Sequence, residues 1–226
     1  MEPPTKKTKK DLYQVGRYPC HFYIKVNETN IKDEESDSLW SDIQSWTSKT
    51  IVLLNDKLSE IKSDVLIDKF ISEDVTNWHI SLSFLFYLQK DMIDVFLNDM
   101  RTVRFPSSKL CLKMNVKPTL FVNEDKTKVF LVVCFDDDFK TFERFVSSSD
   151  SVLSKFGCKT SNGILKTPHI SIACANITTK GDDPSLDSLL EQLDIDNTPP
   201  FDIKNVDFIF NNGCLKLGSL IRKISF

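Results

Sequence analysis

The sequence predicts an α+β fold: two pseudo-symmetric lobes, each an antiparallel sheet with flanking helices, around a central groove. Three observations predict it. Segments with strand-like apolar patterning alternate with segments whose apolar residues recur at helical spacing. A unit of strand, helix and two further strands occurs twice along the 226 residues, once in each half. Two of the three histidines sit in the same four-residue pattern, one per half: His79-Ile80-Ser81-Leu82 and His169-Ile170-Ser171-Ile172.

Residues 1–15, with Lys6-Lys7-Thr8-Lys9-Lys10, read as a flexible basic tail, and residues 16–226 as a single two-lobed domain. Tyr18 to Val26 is the first strand. Trp40, Ile43, Trp46, Thr50, Leu54, Leu58 and Ile61 place a long amphipathic helix over residues 38–63. Asn77 to Phe86 is the first motif strand, and Lys90 to Val103 a helix with Ile93, Phe96, Met100 and Val103 on one face. Lys109 to Asn115 alternates strictly between polar and apolar, as a half-buried strand does. A turn at Asn123-Glu124-Asp125-Lys126 leads to a central apolar strand, Lys128 to Phe135. Phe139, Phe142, Val146, Ser149, Leu153 and Phe156 stripe another helix. Thr167 to Ala173 is the second motif strand, and Leu186, Leu189, Leu190 and Leu193 mark a short helix. Phe201 to Phe210 and Leu215 to Phe226 are expected to close the chain as a hairpin around Asn211-Asn212-Gly213.

Composition narrows the function. Six glycines and no Walker or dinucleotide fingerprint argue against a glycine-rich phosphate loop. A net charge of −3 gives no global field for nucleic acid, so such a substrate needs a local groove. The six cysteines show no CxxC or CxH spacing and read as reduced thiols of a reducing compartment. No apolar run approaches the length of a membrane span, and no membrane contact is expected. No cofactor or metal is expected, since neither motif lies near an HxH, HExxH or paired-carboxylate cluster.

On a strand, residues i and i+2 share a face, so each motif offers an imidazole beside a hydroxyl. Imidazole has the unperturbed pKa nearest neutrality. With a phosphodiester between the lobes, one neutral histidine accepts a proton from an attacking hydroxyl and one protonated histidine supplies the leaving oxygen. Each such group contributes ~10²–10⁴-fold. The serines donate hydrogen bonds to nonbridging oxygens. RNA suits this site because its 2′-hydroxyl is an internal nucleophile next to phosphorus. A Ser-His-Asp hydrolase would need a nucleophile elbow such as GxSxG, which is missing. His21 has no Ser at i+2 and is assigned a structural role.

The paired His-x-Ser steps resemble the 2H phosphoesterase superfamily. Within it, Gly16-Arg17-Tyr18-Pro19, Val122-Asn123-Glu124-Asp125-Lys126-Thr127-Lys128-Val129-Phe130 and the C-terminal hairpin resemble the U6 small nuclear RNA phosphodiesterase family. That resemblance implies a metal-independent 3′-to-5′ exoribonuclease trimming terminal uridines of U6 small nuclear RNA. It leaves a 2′,3′-cyclic phosphate or a 3′-phosphate. By position His79 and His169 are the acid/base pair, with His169 favoured as base, and Ser81 and Ser171 bind phosphate. Glu124, Thr167, Pro168 and Ile170 would contact the nucleotide. The family often has a Tyr six residues before the second His, stacking on the base; here that position is Gly163. The implied partner is RNA, the implied location the nucleus, and the expected state a monomer. The alternatives are another 2H activity (a 2′,5′- or cyclic-nucleotide phosphodiesterase) and an inactive RNA-binding module.

Overall fold

The computed structural model describes residues 16–26, 30–31, 36–61, 65–136, 140–161, 165, 167–178, 185–193, 195 and 207–226. The basic tail, Gly163 and Phe201 therefore lie outside the described residues.

Among the described residues, twelve strands join in one antiparallel sheet, with four α-helices. The strands are β1 (Arg17–Lys25), β2 (Asn30–Ile31), β3 (Leu66–Ile67), β4 (Ile71–Ser72), β5 (His79–Ser81), β6 (Phe86–Gln89), β7 (Leu110–Val122), β8 (Lys128–Asp136), β9 (His169–Thr178), β10 (Asp207–Phe210), β11 (Asn212–Leu217) and β12 (Leu220–Ser225). The helices are α1 (Ser36–Glu60), α2 (Ile93–Thr102), α3 (Thr141–Lys155) and α4 (Ser185–Gln192). The predicted α+β class holds, and the four helices stand close to the apolar stripes that predicted them.

The strand order β12-β11-β1-β5-β9-β8-β7-β10-β2 has the pair β5–β9 at its middle, with three strands beyond β5 and four beyond β9. The two lobes are the halves of this sheet, joined edge to edge where Ile80 pairs with Ile170. Chain order does not map onto the lobes. The β7–β8 hairpin follows the first histidine strand but pairs with the second, and β11–β12 follows the second but lies beside β1, on the first strand's side of the sheet. Each histidine strand thus shares its half of the sheet with a hairpin that follows the other histidine strand in the chain, directly at β9 and across β1 at β5, which the linear repeat did not indicate.

Two expectations need correction. The first motif strand does not run unbroken to Phe86. The backbone N–H groups of Leu82 and Ser83 both donate to the Phe22 carbonyl, and the Phe22 N–H donates to Ser83 Oγ, which ends the ladder and bends the chain. The closing hairpin also turns elsewhere. β10 pairs with β7, and the hairpin joins β11 to β12 around Gly218, whose φ of +62° suits glycine. Gly213 lies inside β11, where a Cβ would fall 2.5 Å from the Phe22 ring. That glycine serves close packing, not a turn.

The phenylalanine-rich composition becomes three aromatic clusters among the described residues, one of them Phe86, Phe96 and Phe156 around α2. Phe105 stacks on Phe145 at 5.2 Å, and Phe226 stands edge-on to Phe145 at 4.6 Å, on the β1–β12 side. On the other side Trp40 of α1 meets Trp78 at 6.0 Å and Phe208 at 5.7 Å. Such ring pairs add about 0.5–1.5 kcal/mol each beyond their buried area. They seat the helices on the core face and leave the opposite face of the central strands to the groove.

Candidate active site

Strand alternation aims the site. In β5, Ile80 is fully buried while His79 and Ser81 are partly exposed. In β9, Ile170 is buried while His169 and Ser171 are partly exposed. The antiparallel pairing of Ile80 with Ile170 sets His79 across from Ser171 and Ser81 across from His169. The two imidazoles therefore stand diagonally, about 8 Å apart at Cα given a strand spacing of ~4.8 Å and a two-residue rise of ~6.8 Å. That diagonal leaves room for one phosphate between them. The β8–β9 register shifts between Leu131 and Val132, so Ile172 and Ala173 are both buried in succession. This bulge lies directly after Ser171, a common place for one beside a site.

Both motif histidines are oriented alike. His79 Nδ1 is 2.7 Å from the Asn77 carbonyl oxygen, and His169 Nδ1 is 2.9 Å from that of Thr167. A carbonyl only accepts, so Nδ1 carries the proton in each ring. Nε2 is then the nitrogen that exchanges a proton with a ligand. Burial holds the His169 pKa below its ordinary value, and His79 pushes in the same direction. Phe121 stands edge-on to the His169 ring at 4.9 Å and supplies part of its apolar surround.

The remaining predicted residues are distributed unevenly. Thr167 is exposed and holds His169 through its carbonyl; Pro168 is buried, and its carbonyl accepts from the Phe135 N–H. Ile170 is 1 % exposed, with its side chain on the core face. Its side chain is thus directed away from the groove, and the residue serves to pair the motifs. Glu124, at the tip of the β7–β8 hairpin, forms an ion pair with Lys159, whose Nζ lies 4.8 Å from the centre of the Phe84 ring. The hairpin tip is thereby tied to the chain after α3 and to the bend after β5. Asn123 Oδ1 accepts from the N–H groups of Thr127 and Lys128, which fixes the turn below Glu124.

His21 is the residue that sequence reasoning missed. Its Nε2 lies 3.1 Å from Ser81 Oγ, its ring stacks on Tyr23 at 5.2 Å, and it stands edge-on to His79 at 5.2 Å. Burial, then the neighbouring His79, push its pKa down to about 3, so the ring stays neutral. No local pattern flags it; the β1–β5 register alone, pairing Tyr23 with Ser81, brings it in.

Among the described residues no three His, Cys, Asp or Glu side chains gather as metal ligands, and no helix is long and apolar enough to cross a membrane. All six cysteines are free.

A family model described as HVSL, an uncharacterised conserved protein, matches residues 5–225. The chain belongs to the HVSL family. The family resemblance drawn from the paired motifs is borne out by this match and its relatives. U6 snRNA phosphodiesterase 1 of Dictyostelium discoideum is 23% identical over 186 residues, 81% of this chain and 59% of that protein. This HVSL chain thus spans about three-fifths of that relative's length. Among solved structures, Usb1 of Kluyveromyces marxianus with uridine monophosphate superposes with a TM-score of 0.61, at 13% identity over 92% of this chain and 98% of that one. A second structure of the same protein gives 0.62, at 12% identity over 94% and 100%. At such identities the likeness establishes the fold.

Proposed function

We propose that this HVSL protein is an RNA phosphodiesterase, a 3′-to-5′ exoribonuclease that trims terminal uridines from U6 small nuclear RNA by two-histidine acid/base catalysis. The observation that carries the reading is the crossing of two His-x-Ser strands at Ile80 and Ile170, with both Nε2 atoms as the proton-exchanging nitrogens. The Dictyostelium relative, named as a U6 snRNA phosphodiesterase, and the neighbour solved with uridine monophosphate support the substrate class.

In this mechanism the 2′-hydroxyl of the penultimate nucleotide attacks its own 3′-phosphorus. His169 is the base: burial favours its neutral form, whose Nε2 lone pair takes the 2′-hydroxyl proton. The bond from O2′ to phosphorus forms as the bond to the terminal nucleoside's O5′ breaks. His79, protonated at Nε2, passes its proton to that O5′. Ser81 and Ser171 donate to the nonbridging oxygens, where negative charge grows. The products are a free terminal nucleoside and an RNA ending in a 2′,3′-cyclic phosphate. Water in place of the 2′-hydroxyl, with the two histidines exchanging duties, opens the ring to a 3′-phosphate. Glu124 and the backbone at Thr167 and Pro168 flank the terminal nucleotide. The site of action is the nucleus, and the working state a monomer.

The test is to incubate oligouridine-tailed RNA with the protein in the presence of EDTA and weigh the products. Stepwise loss of uridine with cyclic or 3′-phosphate ends supports the proposal. Cleavage confined to 2′,5′-linked or cyclic nucleotides would assign a different 2H activity, and binding without turnover an RNA-binding module.

A further inference from the structure

Resting on that reading of the site, we propose that His21 is a positioning residue for the phosphate-binding serine of the first motif. It fixes the Ser81 hydroxyl through its Nε2 and braces the His79 ring from the side.

The geometry is specific. β1 runs antiparallel to β5, with Tyr23 opposite Ser81 and Lys25 opposite His79. His21 shares the groove-facing side of β1 with Tyr23, two residues along. Its Nε2 is 3.1 Å from Ser81 Oγ, within hydrogen-bonding range. Its ring is clamped between Tyr23 and His79, each with its centre 5.2 Å away. A serine hydroxyl on an open strand rotates freely between staggered positions. Tied to a ring that is itself wedged, Ser81 Oγ is held at one of them before substrate arrives. Preorganised donors act in the transition state without reorganisation, the condition under which a hydroxyl aids catalysis most.

His21 does this without moving a proton. Burial, with His79 and Lys216 nearby, keeps it neutral through the working pH range. It touches Ser81 and not the reacting atoms, so it acts through another group. The second motif has no equivalent. Ser171 is opposite Val132 on β8 and across from His79 on β5, and among the described residues no third imidazole hydrogen-bonds its hydroxyl as His21 does that of Ser81. The two serines are therefore unequal, Ser81 fixed and Ser171 adaptable.

The test is a pair of double-mutant cycles on trimming of an oligouridine tail. His21→Phe keeps a ring against Tyr23 and His79 but removes the hydrogen bond. It is expected to lower kcat about tenfold, the size of one lost hydrogen bond of ~1.4 kcal/mol, with KM changed less. In a Ser81→Ala background the same change should have almost no further effect. In a Ser171→Ala background it should retain its full effect. His21→Gln, which places an amide nitrogen near the Nε2 position, should recover most of the activity and leave the pH profile unchanged. Equal losses in both serine backgrounds, or no rescue by Gln in a variant with wild-type melting temperature, would overturn the role of His21 alone. An inactive wild-type protein would overturn the proposed function, and this role with it.

Discussion

The two halves of the groove carry the same motif in different surroundings. Around His79 the neighbours are rings with polar edges: His21, Tyr23 and the hydroxyl of Ser81. Around His169 the neighbouring ring is apolar, with Phe121 edge-on, and Ser81 and Cys134 are its cross-strand neighbours. Identical side chains on one sheet thus meet unlike environments. Environment sets proton affinity, and a pair of groups pushed apart in pKa can divide acid and base duties. Symmetry places the two histidines, and what packs beside them differs between the halves.

The strongest attack on this comparison is to remove either imidazole. His79→Ala and His169→Ala should each lower turnover by ~10²–10⁴-fold, measured as uridine release from a tailed RNA. A loss at one histidine with none at the other would break the pairing. Next in size are the serines. Ser81→Ala should lower kcat by about 10²-fold, as loss of a preorganised donor does. Ser171→Ala should have the smaller effect, since no partner holds its hydroxyl in place.

The pH profile sharpens the contrast between the halves. In the proposed mechanism His169 works as a neutral base, and burial lowers its pKa. The acidic limb of kcat/KM should therefore fall below pH 6.5, the ordinary imidazole value. Phe121→Ala lets water reach the ring, so that limb should move up toward 6.5. Stability follows the same sign rule. His21 takes up a proton near pH 6.5 when unfolded but only near pH 3 when folded. The unfolded state then binds more protons across that window, so the protein should lose stability as pH falls through it. His21→Gln should flatten this slope in melting curves recorded against pH. The smallest effect is expected at the hairpin tip. Lys159 and Glu124 are half exposed, so Lys159→Ala should change unfolding free energy by less than about 1 kcal/mol. A larger change would mean that the tie between the lobes is structural.

Much of this molecule was legible in its sequence, because local rules govern those parts. The alternation of Lys109 to Asn115 is a strand in the structure, and the stripe from Phe142 to Leu153 is the buried face of α3. The motif residues were legible for the same reason, since i and i+2 on a strand share a face whatever the tertiary fold. What was hidden depends on partners distant in sequence. Leu82, Phe84, Leu85 and Phe86 read as more strand, yet the Phe22 carbonyl draws two successive N–H groups and bends the chain there. Asn211-Asn212-Gly213 has turn chemistry, yet the Phe22 ring occupies the space beside Gly213 and keeps it in a strand. His21 lies 60 residues from Ser81, so only strand register joins them.

The crossed hairpins bear on how the protein is made. A strand nested between segments from opposite ends of the chain has nothing to zip onto until the last of them has left the ribosome. Contacts so far apart in sequence also slow folding. His21 and Tyr23, whose rings stand beside His79, lie on β1 and pair with Lys216 and Cys214 of β11, far along the chain. A chain that stops before Asn212 lacks β11, which pairs with β1, and under the proposed mechanism it should release no uridine.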